Sequence, residues 1–437
     1  MADDPWRDDF LHRKPFADQL ARVIETLAAP AVVSVSAGYG MGKTYFARRW
    51  VEMLKSHGKL AVYVNAWETD YAQDPLIAFI AALKAALGRD GLVANPKEPL
   101  RDRATKLGKV GAKIVAKGLI RAATFGAVGD KIESEVEAAI SGSLDEIERL
   151  AEAQLEAFEQ EKQERVAFKE ELSRYRIALL EATARSGDAE PADEKLYIAI
   201  DELDRCRPSY ALRFLEDVRH LFDAPGVVFV IFADEEALET NAACLLGIKD
   251  EGERYLKKFV DYSFRMPGPN TKKFAQLRMS NACRGIRWER PDFWPVFCNQ
   301  FGEAVARTSL TLRQIESIVR HFEISVRSQP DRRFELSPAL TLAATLREVE
   351  PIEYSRLSAN EANYERIVST LQIGPENTFM LAYALLLTKS MTGKVSGEVR
   401  DKAHKIAERL SFDYNIEGNL GPIVYSYLEG AELLAQG

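Results

Sequence analysis

The stretch Ala31-Val-Val-Ser-Val-Ser-Ala-Gly-Tyr-Gly-Met-Gly-Lys-Thr44 decides the fold. It opens on an apolar, β-branched run, Ala31 to Val35, which predicts a buried strand. Gly38, Gly40 and Gly42 follow, alternating with Tyr39 and Met41, and then come Lys43, Thr44 and Tyr45. Phe46, Trp50, Val51 and Leu54 fall at helical spacing after them. Strand, glycine-rich turn and helix N-terminus together suit a phosphate. Glycine lets successive backbone amides turn inward, and the helix end adds partial positive charge. The pattern assigns nucleotide contacts to Gly38, Tyr39, Gly40, Met41, Gly42, Lys43, Thr44 and Tyr45. Lys43 would reach the β- and γ-phosphates of ATP, and the Thr44 hydroxyl would hold Mg2+. Such a loop usually begins with a glycine five places before Gly42; here that place is Ala37.

A second segment completes the pattern far downstream. Leu196-Tyr-Ile-Ala-Ile200 predicts another buried strand, and Asp201-Glu-Leu-Asp-Arg-Cys-Arg-Pro208 follows at once. Alone, this reads as an ordinary strand ending in a polar turn. With a phosphate loop upstream it reads as the acid half of a nucleotide site. Asp201 would hold Mg2+, directly or through water, and Glu202 would polarise the attacking water. Lys43, Asp201 and Glu202 are therefore the candidate catalytic residues, and Thr44 and Asp201 the candidate metal-holding ones. Asp204, Arg205 and Arg207 line the next turn and would order this site or a neighbouring subunit.

Three further strands are expected. Leu60 to Trp67 is one, with Asn65, Trp67 and Glu68 on the ligand side if the sheet is parallel. Val227 to Ala233 is another, ending at Asp234, which could contact the γ-phosphate or the water. The later part of Tyr255 to Pro267 is the last. Helices are expected between them, at Pro75 to Leu87 and Tyr210 to Phe222. Ahead of the first strand, Pro15 suits a first helical turn, with Phe16, Leu20, Val23, Ile24 and Leu27 on one face.

Residues 90–194 form a long insertion. Its first part, Arg101 to Arg121, is basic and amphipathic; it suits a solvated face packed on this protein's own acidic half, or, less favoured, an anionic surface. The apolar stretch Ala122 to Gly129 is too short to span a membrane. Glu133 to Arg185 is rich in Glu, Ala, Leu and Gln and predicts one or two long helices. From Asn270 onward the pattern is helical; Thr308 to Glu316 begins one helix, with Arg313 in its first turns, where a lid could bring it over the phosphates.

The bulk numbers set the outer limits. With 437 residues and 46% hydrophobic content, the chain has room for an α/β domain and a second, helical one. A net charge of -8 argues against a general nucleic-acid binder. Cys206, Cys244, Cys283 and Cys298 show no metal spacing and suit a reducing cytoplasm. The acidic N-terminus lacks a signal-peptide core, and no stretch of about twenty apolar residues predicts a membrane span.

These pieces together resemble the KAP family of P-loop NTPases. The resemblance rests on Phe10-Leu-His-Arg-Lys-Pro-Phe-Ala17, Gly38 to Thr44, Asn65-Ala-Trp-Glu68, Ile200 to Pro208, Phe222 to Val230 and Tyr255-Leu-Lys-Lys-Phe259. It implies an α/β fold with a five-stranded parallel sheet in the order 5-1-4-3-2; it leaves the insertion unmatched, and the residues themselves predict the long helical insertion and the C-terminal helical domain. The corresponding divisions are 1–89 and 195–268 for the P-loop domain, 90–194 for the insertion and 269–437 for the C-terminal helices. It also implies ATP binding and Mg2+-dependent hydrolysis. Bacterial members are often linked to defence against phage, and many carry transmembrane helices in the insertion, where this sequence reads instead as a basic amphipathic piece and an acidic helical arm. The expected role is a cytoplasmic ATPase that switches the angle between the sheet domain and the C-terminal helices, and so acts on a partner or assembly. The partner would be a protein held by the insertion or the C-terminal helices, with a homo-oligomer left open. An ATP-stabilised scaffold with little turnover is the alternative, and an ATPase stimulated by nucleic acid or a membrane surface is a further, less favoured one.

Overall fold

A computed structural model describes residues 4–72, 75–89, 194–219, 223–247, 255–282, 293–328, 336–375, 377–388, 397–413 and 420–435, with scattered positions between 163 and 180 and Arg284. The basic segment 101–121, the apolar stretch 122–129 and most of the arm 133–185 lie outside the described residues. The chain divides into two compact units. The first comprises Met1–Asp8, Lys14–Gly38 and Gly42–Pro267; the second comprises Asp9–Arg13, Tyr39–Met41 and Gly268–Gly437.

In the first unit the strands are β1 (Ala31–Ser36), β2 (Leu60–Asn65), β3 (Leu196–Asp201), β4 (Val227–Ala233) and β5 (Tyr262–Arg265). All pair in parallel, in the order β2-β3-β4-β1-β5, the order implied by the family resemblance. The central strands β1, β3 and β4 are buried on both faces, which is why their sequences are near-continuous apolar runs.

The helices of this unit are α1 (Lys14–Thr26), α2 (Lys43–Ser56), α3 (Pro75–Arg89), α4 (Pro208–Arg219) and α5 (Glu235–Leu246). Side chains alternate across each strand, so the sheet has two separate apolar faces. On one, Val62, Ile198, Phe229 and Ile231 pack with Phe79 of α3 and Phe214 of α4. On the other, Phe232 meets Phe46 and Trp50 of α2 at ring-centroid distances of 5.9 and 5.8 Å. Phe46 in turn meets Phe16 of α1 at 5.3 Å.

One strand end and one helix face differ from expectation for local reasons. Strand β2 stops at Asn65 because the Asn65 side-chain oxygen accepts from the Trp67 amide at 3.0 Å, and Trp67–Thr69 forms a short 3-10 turn. The buried face of α1 is Ala17, Leu20, Ala21 and Ile24, while Phe16, Val23 and Leu27 are half-buried. Alanine lets the helix approach closely, so the buried stripe runs through the small residues rather than the largest ones.

The register sets the level of the strand ends. Ser36 of β1 lies beside Ala233 of β4, and Asp201 of β3 beside Phe232. The carboxyl ends of β1 and β3 thus sit one residue apart in height on either side of β4, where open α/β sheets bind ligands.

The second unit is helical. Its elements are α6 (Thr271–Ala282), α7 (Phe293–Arg307), α8 (Leu312–Ser328), α9 (Ser337–Val349), α10 (Pro351–Ser358), α11 (Tyr364–Thr370), α12 (Thr378–Leu386), α13 (Gly397–Asp413) and α14 (Gly421–Ala435). Phe297 and Phe322 stack at 5.8 Å between α7 and α8. Thr311 and Gln314 cap α8 reciprocally: the Gln314 amide donates to the Thr311 hydroxyl at 3.3 Å, and the Thr311 amide donates to Gln314 Oε1 at 2.9 Å. Among the described residues, no helix is long and apolar enough to cross a membrane.

Candidate functional site

The loop after β1 needs a left-handed backbone at two places, and both are glycine: Gly40 at φ 75° and Gly42 at φ 85°. Ala37 is outside that region; its amide donates to Ala233 O at 3.3 Å and extends the ladder. Alanine therefore serves there without strain. No side chain caps the N-terminus of α2.

Lys43 leads that turn and is 9% exposed. Its Nζ donates to Ala37 O at 2.7 Å and Gly38 O at 3.3 Å, and pairs with Asp204 Oδ2 at 3.0 Å. Thr44 Oγ1 donates to Glu202 Oε1 at 3.0 Å, across 158 residues of sequence. The loop and the acid segment thus meet at the carboxyl ends of the strands.

Asp201 is fully buried at the end of β3. Its Oδ2 accepts from the Tyr63 hydroxyl at 2.7 Å, and its Oδ1 has no hydrogen-bond partner among the described residues. Glu202 comes next with φ 62° and ψ 23°, a left-handed conformation uncommon outside glycine and concentrated at functional sites. Glu202 Oε1 also accepts from the Arg205 guanidinium at 3.0 Å, and Oε2 from Asn65 Nδ2 at 3.1 Å. Arg205 lies 5.7 Å from the centroid of the half-exposed Trp67 ring.

Mg2+ takes hard oxygen ligands. A buried, unpartnered carboxylate oxygen on Asp201, with the Thr44 hydroxyl in the same acid cluster, fits that ion.

The remaining predicted residues are placed as follows. Tyr45 uses its side chain within the first unit: the hydroxyl donates to Asp8 O at 3.3 Å, and Arg49 lies 4.4 Å from its ring centroid. Tyr39, Gly40 and Met41 belong to the second unit. There the fully buried Arg13 donates to Met41 O at 2.7 Å, and the Leu312 amide donates to Gly40 O at 3.1 Å. A Cβ on Gly40 would lie 3.1 Å from Thr311 Cβ, and the Arg313 guanidinium lies 5.1 Å from the Tyr39 ring centroid. Asp234 caps α5, accepting from the Ala237 amide at 3.4 Å.

Sequence reasoning missed Tyr63 and Arg13. Tyr63 was open to discovery, since residues two apart on a strand share a face and Asn65 had already been placed toward the ligand. Arg13 lies inside a stretch that carries the family resemblance, but no local pattern says that it is buried against Met41.

Burial raises the Asp201 carboxyl above the ordinary aspartate value, with the Tyr63 and Thr44 hydroxyls opposing it and the Glu202 charge adding to it. A carboxyl whose folded pKa lies above its unfolded one favours folding only at low pH. That contribution is lost as pH rises through the raised value, and the ionised group is then a net cost. Asp201→Asn is therefore expected to raise Tm at pH 7, without nucleotide or magnesium, by about 2–4 °C for each kcal/mol of relieved cost. The gain should shrink as pH falls toward the ordinary carboxylate range. Thermal unfolding across pH checks this; an equal gain at all pH values would contradict it.

Comparison with known proteins gives three likenesses. The chain is 31% identical over 84 residues to the phage T7 exclusion protein of Escherichia coli (strain K12), a match spanning 19% of this chain and 11% of that protein. It spans well under two thirds of that relative's length. Among solved structures, the Aeropyrum pernix ORC2 protein, in ADPNP-ADP complexes, aligns with a TM-score of 0.30 and 14% identity, over 97% of this chain and 86% of that one. The model of the KAP family P-loop domain matches residues 13–328, most of the chain and all five strands. On that match the chain belongs to the KAP family of P-loop NTPases.

Proposed function

We propose that this chain is a Mg2+-dependent ATPase that acts as a nucleotide-driven switch on a partner or assembly. One observation carries the reading: Lys43 and Thr44, at the start of α2, touch the acids that follow β3, at 3.0 Å each. Loop amides and the Lys43 ammonium would bind the β- and γ-phosphates. Asp201 Oδ1 and the Thr44 hydroxyl would hold the metal. When bound, Mg2+ supplies charge neutralisation across the phosphate oxygens. Glu202 would orient the attacking water and take its proton as the water oxygen bonds to phosphorus and ADP leaves. Phosphoryl transfer needs positioning and charge more than covalent chemistry, so few residues suffice.

Glu202 is held by three donors, Thr44, Asn65 and Arg205. That supports slow basal turnover, raised when a partner loosens the glutamate. The expected result is phosphate release from ATP that needs Mg2+, stops in EDTA and rises with the right partner. Phosphate release measured across protein fractions, nucleic acids and lipid vesicles tests it. ATP binding with no release under any of these conditions would favour the scaffold alternative. Defence against phage is the process we would assay first, on the short match to the T7 exclusion protein.

A further inference from the structure

Strand β2 contributes more to the acid cluster than its sequence suggests. Tyr63 faces α2, where the Arg48 guanidinium lies over its ring, 4.9 Å from the centroid. The Tyr63 hydroxyl meets Asp201 Oδ2 at 2.7 Å. An ionised carboxylate has only acceptors, so Tyr63 donates its phenolic proton to Asp201.

That fixed polarity has a consequence for the carboxylate. A buried aspartate with both oxygens unheld could rotate about its last bond and present either. Here Oδ2 is pinned, and Oδ1 is buried with no hydrogen-bond partner among the described residues. Outer hydrogen bonds of this type orient metal-holding side chains and set their basicity. We infer that Tyr63 is a positioning residue for the metal-holding carboxylate, and that Arg48, lying over its ring, holds it in place from the protein surface. The inference rests on the reading of Asp201 as the Mg2+ residue.

The outer end of this arrangement is accessible. Arg48, Tyr63 and Asn65 line an open cleft of about 290 Å³ together with Glu52, Lys55 and Glu68. Arg48 is exposed, so it can be changed without opening the core. Tyr63→Phe keeps the ring and removes only the hydroxyl.

The test measures affinity for a fluorescent ATP analogue with Mg2+ and with EDTA, and Mn2+ affinity of the nucleotide complex by electron paramagnetic resonance. It uses the full chain, Tyr63→Phe and Arg48→Gln, with ligand-free thermal unfolding to verify folding. Tyr63→Phe is expected to weaken Mn2+ affinity by about ten- to a hundred-fold, with nucleotide affinity in EDTA unchanged. Arg48→Gln should move Mn2+ affinity the same way by less. A packing defect would instead lower affinity equally with and without metal, and that outcome overturns the inference. So does Mn2+ affinity in Tyr63→Phe equal to that of the unaltered chain. If the unaltered chain gains no affinity from metal, the ATPase reading itself fails; if it gains and Tyr63→Phe gains as much, only the positioning role fails.

Discussion

Lys43→Ala is expected to lower ATP affinity by about a hundred-fold or more, to the point that equilibrium titration at micromolar nucleotide detects no binding. Each hydrogen bond between a charged donor and a phosphate oxygen is worth about 1.5–3 kcal/mol, and two of them account for that loss. The structure adds a second effect of the same substitution. Lys43 and Asp204 form a pair with side chains 10% and 5% exposed. Removing one member of a buried pair leaves the other uncompensated, at a cost of about 3–5 kcal/mol. Lys43→Ala should therefore also unfold at lower temperature. The two effects separate in the double variant Lys43→Ala with Asp204→Asn, which should recover thermal stability and still fail to bind. Recovery of ATP binding in the double variant would show that Lys43 serves the fold alone.

Glu202→Gln should bind ATP within a few-fold of the unaltered chain and lower turnover by about 10²–10⁴-fold, the usual contribution of a positioned general base. Glutamine keeps the volume and one acceptor oxygen, so the loop and the Asp201 carboxylate stay in place. It loses the negative charge that would take the proton of the attacking water. Single-turnover phosphate release, with nucleotide titration in parallel, measures both quantities. Undiminished release would remove Glu202 from the chemistry and leave the acid cluster with a binding role only.

The parts of this molecule that could be read from sequence were those with local periodicity. Ala31 to Val35 and Val227 to Ala233 announce central strands because a parallel strand buried on both faces must be apolar throughout. The order of the strands came from the family resemblance, since no periodicity encodes which strand lies beside which. Two features of the site escaped for related reasons. The Lys43–Asp204 pair and the Tyr63–Asp201 hydrogen bond join residues far apart in sequence, and only the sheet order brings them together. Strand β2 ends at Asn65, short of the Trp67 expected from its sequence, where the Asn65 side chain accepts from the Trp67 amide. The position of Glu202 after an apolar strand marks it as a candidate, but nothing in the amino-acid sequence signals its left-handed backbone.

The Lys43–Asp204 pair has a bearing on what the site will admit. Asp204 is a resident anion, tethered to the same chain, so any phosphate must displace a carboxylate present at a local concentration on the order of millimolar. A lone inorganic phosphate offers little beyond the single contact it would replace. A triphosphate also engages the loop amides, and can win the exchange through those added contacts. On the proposed reading, the internal rival would act as a threshold against small anions.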